Sequence, residues 1–154
     1  MHTIFIDSIP NPGFPGEGGL SDITWRLAKE LLCQDIRVSV VGPYDKKAHL
    51  PFVHQNLTVR SVPEAIMTRH NVVTHIKSTF LLAQAAKQLA TYDTIYHVHD
   101  SITAACLCLI ACGNRVVWHG HSNVYHHSRE HNPWDKTMYW LMRAATHIAA
   151  VGGA

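Results

Sequence analysis

The feature that most constrains this chain is an alternation. Short β-branched apolar runs take turns with longer stretches in which apolar residues recur every three or four positions. Thr3 to Asp7 is the first apolar run. After a loop rich in glycine and proline, Leu20, Ile23, Leu27 and Leu31 recur at 3-4-4 spacing, which predicts an amphipathic helix. Ile36 to Val41 (IRVSVV) reads as a buried parallel strand, stopped by Gly42-Pro43. Leu57 to Val62 is a third strand, halted by Pro63. Val73, Ile76, Phe80, Ala83, Ala86 and Ala90 mark a long second helix. Thr94 to Val98 is a fourth strand and Ile102 to Cys112 a small apolar helix. Arg115 to Trp118 is a fifth strand, Pro133 suits the first turn of a helix ending near Ala144, and His147 to Val151 is a sixth strand.

Strands separated by helices imply right-handed crossovers and a mostly parallel sheet covered on both faces. The expected fold is an α/β, Rossmann-like doubly wound domain spanning residues 1–154 as a single unit, in keeping with domains of about 100 to 150 residues. Ligands of such sheets lie beyond the carboxyl ends of the strands. Residues just after each strand therefore carry the functional expectation. The sequence stops three residues after its last strand, with no helix to cover it, so a further domain is expected beyond Ala154.

Composition removes several classes. Apolar residues make up 47% and charged residues 16%, a balance that builds a packed core. Thirteen Lys and Arg against eleven Asp and Glu give a net charge of +2, too small and too dispersed for a nucleic-acid partner. The longest uncharged apolar run, Ile102 to Cys112, falls short of the roughly 20 residues a membrane helix needs. An acid, Asp7, closes the first apolar stretch too early for a signal peptide. Cys33, Cys106, Cys108 and Cys112 read as reduced core cysteines of a cytoplasmic protein.

The loop after the first strand, PNPGFPGEGGLS, brings Gly18-Gly19 to the start of the first helix. Unpaired N–H groups and the helix dipole there favour an anion such as a phosphate, and a phosphate or sugar pocket is the leading reading over a plain surface loop. Gly16-x-Gly18-x-x-Ser21 only approximates a dinucleotide fingerprint, because the loop is long, the third glycine is a serine, and no acid ends the second strand.

Histidine is the compositional outlier, at thirteen in 154. The fourth strand runs into His97-Val98-His99-Asp100 and the fifth into His119-Gly120-His121-Ser122. Residues two apart on a strand share a face, so His97 and His99 are expected to point the same way. An imidazole at a strand end can act as general base or orient a hydroxyl, and a carboxylate such as Asp100 can set its tautomer. The plainer reading is a polar strand end bonded to backbone or water. Zinc is disfavoured: no HExxH or CxxC occurs, and nothing in the sequence makes four rings converge. No metal and no cofactor is expected. The polar loop Tyr125 to Asn132 reads as solvated.

Three features coincide: GEGGLSDITWRLAKELL leading into IRVSVVGPY, then YHVHD before an apolar helix, then RVVWHGHS followed later by HIAAV. In this order and spacing the chain resembles the N-terminal, acceptor-side half of a GT-B glycosyltransferase of the retaining family 4 type, over essentially all its length. The resemblance implies that Gly18 and Gly19 face the donor's phosphates and the acceptor. It implies that His119 contacts the transferred sugar near the reaction centre, that Asp100 supports the pocket, and that His99 and Ser122 line it. Two departures stand out. Gly152 replaces a serine usual after the sixth strand, and the C-terminal donor-binding domain with its E-x7-E segment has no counterpart in these 154 residues.

The activity implied is a retaining, metal-independent transfer from a nucleotide-sugar donor to a sugar or lipid-linked acceptor, with this fragment inactive alone. Such chemistry rests on positioning and on stabilising the leaving diphosphate; accordingly no DxD occurs. Arg69, His70, His75 and Lys77 cluster near the start of the second helix; a solvated basic helix end is the plainer reading, with a peripheral membrane contact as the alternative. Two alternatives stay open: a non-catalytic module that binds a sugar or phospho-ligand or docks a partner, and an NAD-linked Rossmann protein.

Overall fold

The computed structural model describes residues 1–6, 19–43, 52–65, 72–99, 101–111, 115–120 and 147–150. The elements are β1 (His2–Ile6), α1 (Gly19–Cys33), β2 (Arg37–Pro43), β3 (Leu57–Val62), α2 (Val72–Leu89), β4 (Thr94–Val98), α3 (Ser101–Ile110), β5 (Arg115–Gly120) and β6 (His147–Ala150). Six strands form one sheet in the order β3-β2-β1-β4-β5-β6, each neighbouring pair parallel. The chain moves outward from β1 to β3, then returns to the other side of β1 for β4, β5 and β6. Strand order thus reverses between β1 and β4, where a doubly wound sheet opens its crevice.

The two faces of the sheet bury different sets. Ile4, Ile6, Val41, Tyr96, Val98, Val116 and Trp118 pack under α2 and α3 with Leu82, Ala83, Ala86, Ala104 and Leu107. Phe5, Val38 and Val40 pack under α1 with Trp25, Ala28 and Leu32. Alternation along each strand assigns the residues to one set or the other.

The expected elements form, with three informative differences. Among the described side chains of α1 the most deeply buried are Thr24, Trp25, Ala28 and Leu32, whereas Ile23 and Leu27 of the predicted stripe each stay 37% exposed. The Trp25 ring, set edge-on to Phe52 at a centroid distance of 5.5 Å, has the most apolar area to hide and turns the helix toward itself. Second, β2 continues through Gly42 and Pro43, which pair with Ser61 and Val62, so the Gly-Pro break is the strand's end. Third, β5 extends past Trp118 because β6 lies beside it, with His119 opposite Ala149 and Gly120 opposite Ala150. His119 is therefore a strand residue.

Cys33 is exposed at the end of α1 and is not a core residue, while Cys106 and Cys108 are half-buried against the larger core and in no disulfide. Burial pushes the Cys108 thiol up. Cys112, the Pro133 to Ala144 helix, the Tyr125 to Asn132 loop, Arg69, His70, Val151 and Gly152 lie outside the described residues. Within the basic cluster, Lys77 is exposed and His75 is half-buried. No helix among the described residues is long and apolar enough to cross a membrane.

One buried histidine has a purely structural setting. His2, at the amino edge of the sheet, places Nε2 2.9 Å from Ser39 Oγ and Nδ1 3.4 Å from Thr94 Oγ1. Burial, then the charge of Arg37, holds its pKa below the usual imidazole value.

Candidate functional site

The carboxyl end of the sheet gathers three imidazoles. His97 is in register with Phe5 on one side and Val117 on the other, so all three share the α1 face. Two residues further along the chain, His119 follows Val117 on β5, and His99 follows His97 just past the end of β4. The Phe5 and His97 ring centroids are 5.0 Å apart, tilted at 38°.

His97 Nδ1 lies 2.9 Å from His119 Nε2. The two rings are 27° from parallel with centroids 5.1 Å apart, so they meet edge to edge through their nitrogens. The His99 ring approaches His119 from a second direction, again at 5.1 Å and tilted by 38°. His99 is itself held: its Nε2 is 2.9 Å from Oγ1 of Thr24, a fully buried residue in the second turn of α1. A continuous path of contacts thus runs from Phe5 through His97, His119 and His99 to Thr24, joining β1, β4, β5 and α1 at the switch point.

Electrostatics favour an uncharged His97 ring. Burial, then the neighbouring charges of His119 and His99, lower the pKa of His97 from 6.5 to about 4. His97 is neutral at physiological pH. Neutral imidazoles both donate and accept hydrogen bonds, the property needed to read sugar hydroxyls. Among the described residues no group of three His, Cys, Asp or Glu side chains could hold a metal ion. The reason is visible in the cluster, where a nitrogen of His97 and one of His119 are turned on each other.

Of the residues singled out from sequence, His119 and His99 come together, and the backbone of Gly19 opens α1. Gly18, Asp100 and Ser122 lie outside the described residues. His97 and His99 share a face, as the period of two requires. Thr24 and the His97–His119 bond had no sequence signal beyond that period, because they depend on contacts across 75 and 22 residues.

A doubly wound parallel sheet with imidazoles gathered at the carboxyl end beside its switch point is an architecture of the Rossmann-like α/β class. The profile of Glycosyltransferase Family 4 matches residues 17–154, and the chain belongs to that family. Solved structures agree on the fold. A trehalose 6-phosphate synthase from Burkholderia multivorans is similar at 14% identity and a TM-score of 0.58, covering 96% of this chain and 38% of its own. A trehalose-6-phosphate protein from E. coli bound with UDP-2-fluoro glucose is similar at 14% identity and a TM-score of 0.62, covering 96% of this chain and 39% of its own. An alpha,alpha-trehalose-phosphate synthase (UDP-forming) from Burkholderia vietnamiensis is similar at 13% identity and a TM-score of 0.60, covering 96% and 38%. No curated protein matches the chain. The chain thus spans under two-fifths of the length of these structures, as one α/β Rossmann-like unit of the GT-B kind.

Proposed function

We propose that this chain is the acceptor-side domain of a retaining, metal-independent glycosyltransferase that moves a sugar from a nucleotide-sugar donor to a sugar or lipid-linked acceptor. The observation that carries the reading is His119, fixed on β5 at the carboxyl edge between the rings of His97 and His99. Family membership and the UDP-2-fluoro glucose bound in a similar structure support it.

In this reading His119 hydrogen-bonds a hydroxyl of the transferred sugar as charge develops at its anomeric carbon. The N–H groups at Gly18 and Gly19, where α1 begins, stabilise negative charge on the leaving diphosphate. The bond from the anomeric carbon to the diphosphate breaks, a bond to the acceptor oxygen forms on the same face, and the acceptor's proton passes to the departing phosphate. Asp100 supports the pocket, and His99 and Ser122 line it. A second domain supplies most of the donor contacts. Cys33, Cys106 and Cys108, none of them in a disulfide, accord with a reducing, cytoplasmic setting.

The test is sugar transfer by the natural full-length polypeptide, parent against His119→Ala. Loss of about 10²-fold or more in turnover is expected for removal of a group acting in the transition state; unchanged turnover overturns the assignment. Flotation with anionic liposomes tests the peripheral membrane contact, with Lys77→Glu expected to weaken it.

A further inference from the structure

His97 stands where an apolar side chain would pack at less cost. Its in-register neighbours are Phe5 and Val117, and burial among them disfavours a polar ring. In exchange the imidazole shares one hydrogen bond, between its Nδ1 and His119 Nε2 at 2.9 Å. Because His97 stays neutral down to about pH 4, that bond holds a single proton.

The position of this proton is coupled to the tautomer of His119. Carried on His97 Nδ1, it makes Nε2 of His119 an acceptor and leaves the proton of His119 on Nδ1. Carried on His119 Nε2, it leaves Nδ1 of that ring as an acceptor. In both cases His97 occupies Nε2 and sets the ring's rotation, while His99, anchored by Thr24, limits it from another direction.

We propose that His97 is a positioning residue for His119: by engaging Nε2 it fixes ring orientation and couples the tautomer of His119 to its own, so that His119 meets a sugar hydroxyl through Nδ1. The inference rests on the reading of His119 as the sugar-contacting histidine. It reassigns to an imidazole on the adjacent strand the orienting role that the sequence alone would give to Asp100.

Side-chain isosteres make the test specific. The terminal amide of asparagine reaches the position of histidine Nδ1, and that of glutamine the position of Nε2. In the natural full-length polypeptide, His97→Asn is expected to keep most of the transfer rate. His97→Gln and His97→Leu are expected to lose on the order of 10²-fold in kcat, the scale of a small misplacement of a reacting group, with KM for the nucleotide sugar little changed. Nitrogen-15 NMR of histidine-labelled protein adds a readout apart from turnover. The tautomer balance of His119 is expected to be alike in the parent and in His97→Asn, and to shift in His97→Leu.

Equal kcat in all three variants, loss without rescue by asparagine, or an unchanged His119 tautomer in His97→Leu each overturns the proposal. If His97→Leu does not fold, the asparagine–glutamine comparison, between two polar residues one methylene apart, still decides. His119→Ala separates the two levels. Full turnover in that variant removes the functional reading itself, whereas its loss together with an active His97→Leu removes only the positioning role.

Discussion

Phe5 and His97 are register partners on neighbouring parallel strands, and their ring centroids stand 5.0 Å apart at a tilt of 38°. Phe5 is fully buried and belongs to the core beneath α1, with Trp25, Ala28, Leu32, Val38 and Val40. One phenyl ring therefore serves both the packing of the first crossover and the wall that seats the imidazole cluster. Phe5→Ala is expected to cost about 3–5 kcal/mol, from lost transfer energy and the cavity left behind. Urea unfolding followed by tryptophan fluorescence measures it. A cost below about 1 kcal/mol, within the range of ordinary surface changes, would contradict this packing.

Acid should weaken the fold. His97 titrates at about 4 in the folded chain against 6.5 for an ordinary imidazole, so between these values the unfolded chain binds more protons. The resulting stability is fully present above pH 6.5 and is lost as pH falls toward 4. At about 1.4 kcal/mol per unit, the His97 contribution is about 3 kcal/mol. His2, also lowered by burial, acts with the same sign. Unfolding free energies measured from pH 7 down to pH 4 should decline, and the slope should be shallower in His97→Asn. Identical slopes would show that His97 is not the titrating group.

At the opposite edge of the sheet, Ser39 Oγ lies 2.9 Å from His2 Nε2, and both side chains are almost wholly buried. Ser39→Ala strands that nitrogen away from water, at an expected cost of about 1–3 kcal/mol. Because this edge is remote from the imidazole crevice, turnover at a temperature where both proteins are folded should not change. A fall in kcat with unaltered stability would run against this division between the two edges.

Helix α1 closes with a Schellman arrangement. The Ile36 amide reaches the Leu31 carbonyl and the Asp35 amide the Leu32 carbonyl, each at 3.1 Å. Asp35 sits at φ 57°, the left-handed region that a Cβ disfavours. Asp35→Gly relieves that strain and is expected to raise stability by up to about 1 kcal/mol, net of the entropy a glycine adds to the unfolded chain. A thermal scan showing a lower melting temperature for the variant would refute it.

Much of this fold was legible because its signals are local. The strands at Leu57 to Val62 and Thr94 to Val98 coincide with their predicted limits, since a proline, or the start of a helix, punctuates each run. The buried face of α1 was less legible. Leu20, Ile23, Leu27 and Leu31 mark a helix by spacing, but which arc turns inward depends on Trp25 and on the Val38–Val40 surface waiting for it. The extension of β5 through His119 was likewise hidden, because a partner strand at His147–Ala150 is what continues the ladder.

The sequence by itself determined the element order, the parallel doubly wound sheet and the placing of histidines at strand ends, because periods of two and of three to four are properties of neighbouring residues. It even put His97 and His99 on one face. The tertiary structure alone decided that His97 bonds His119, that Thr24 holds His99, and that burial keeps His97 neutral. Hydrogen bonds and desolvation act through space between segments far apart in the chain, and no local pattern records which segments will meet.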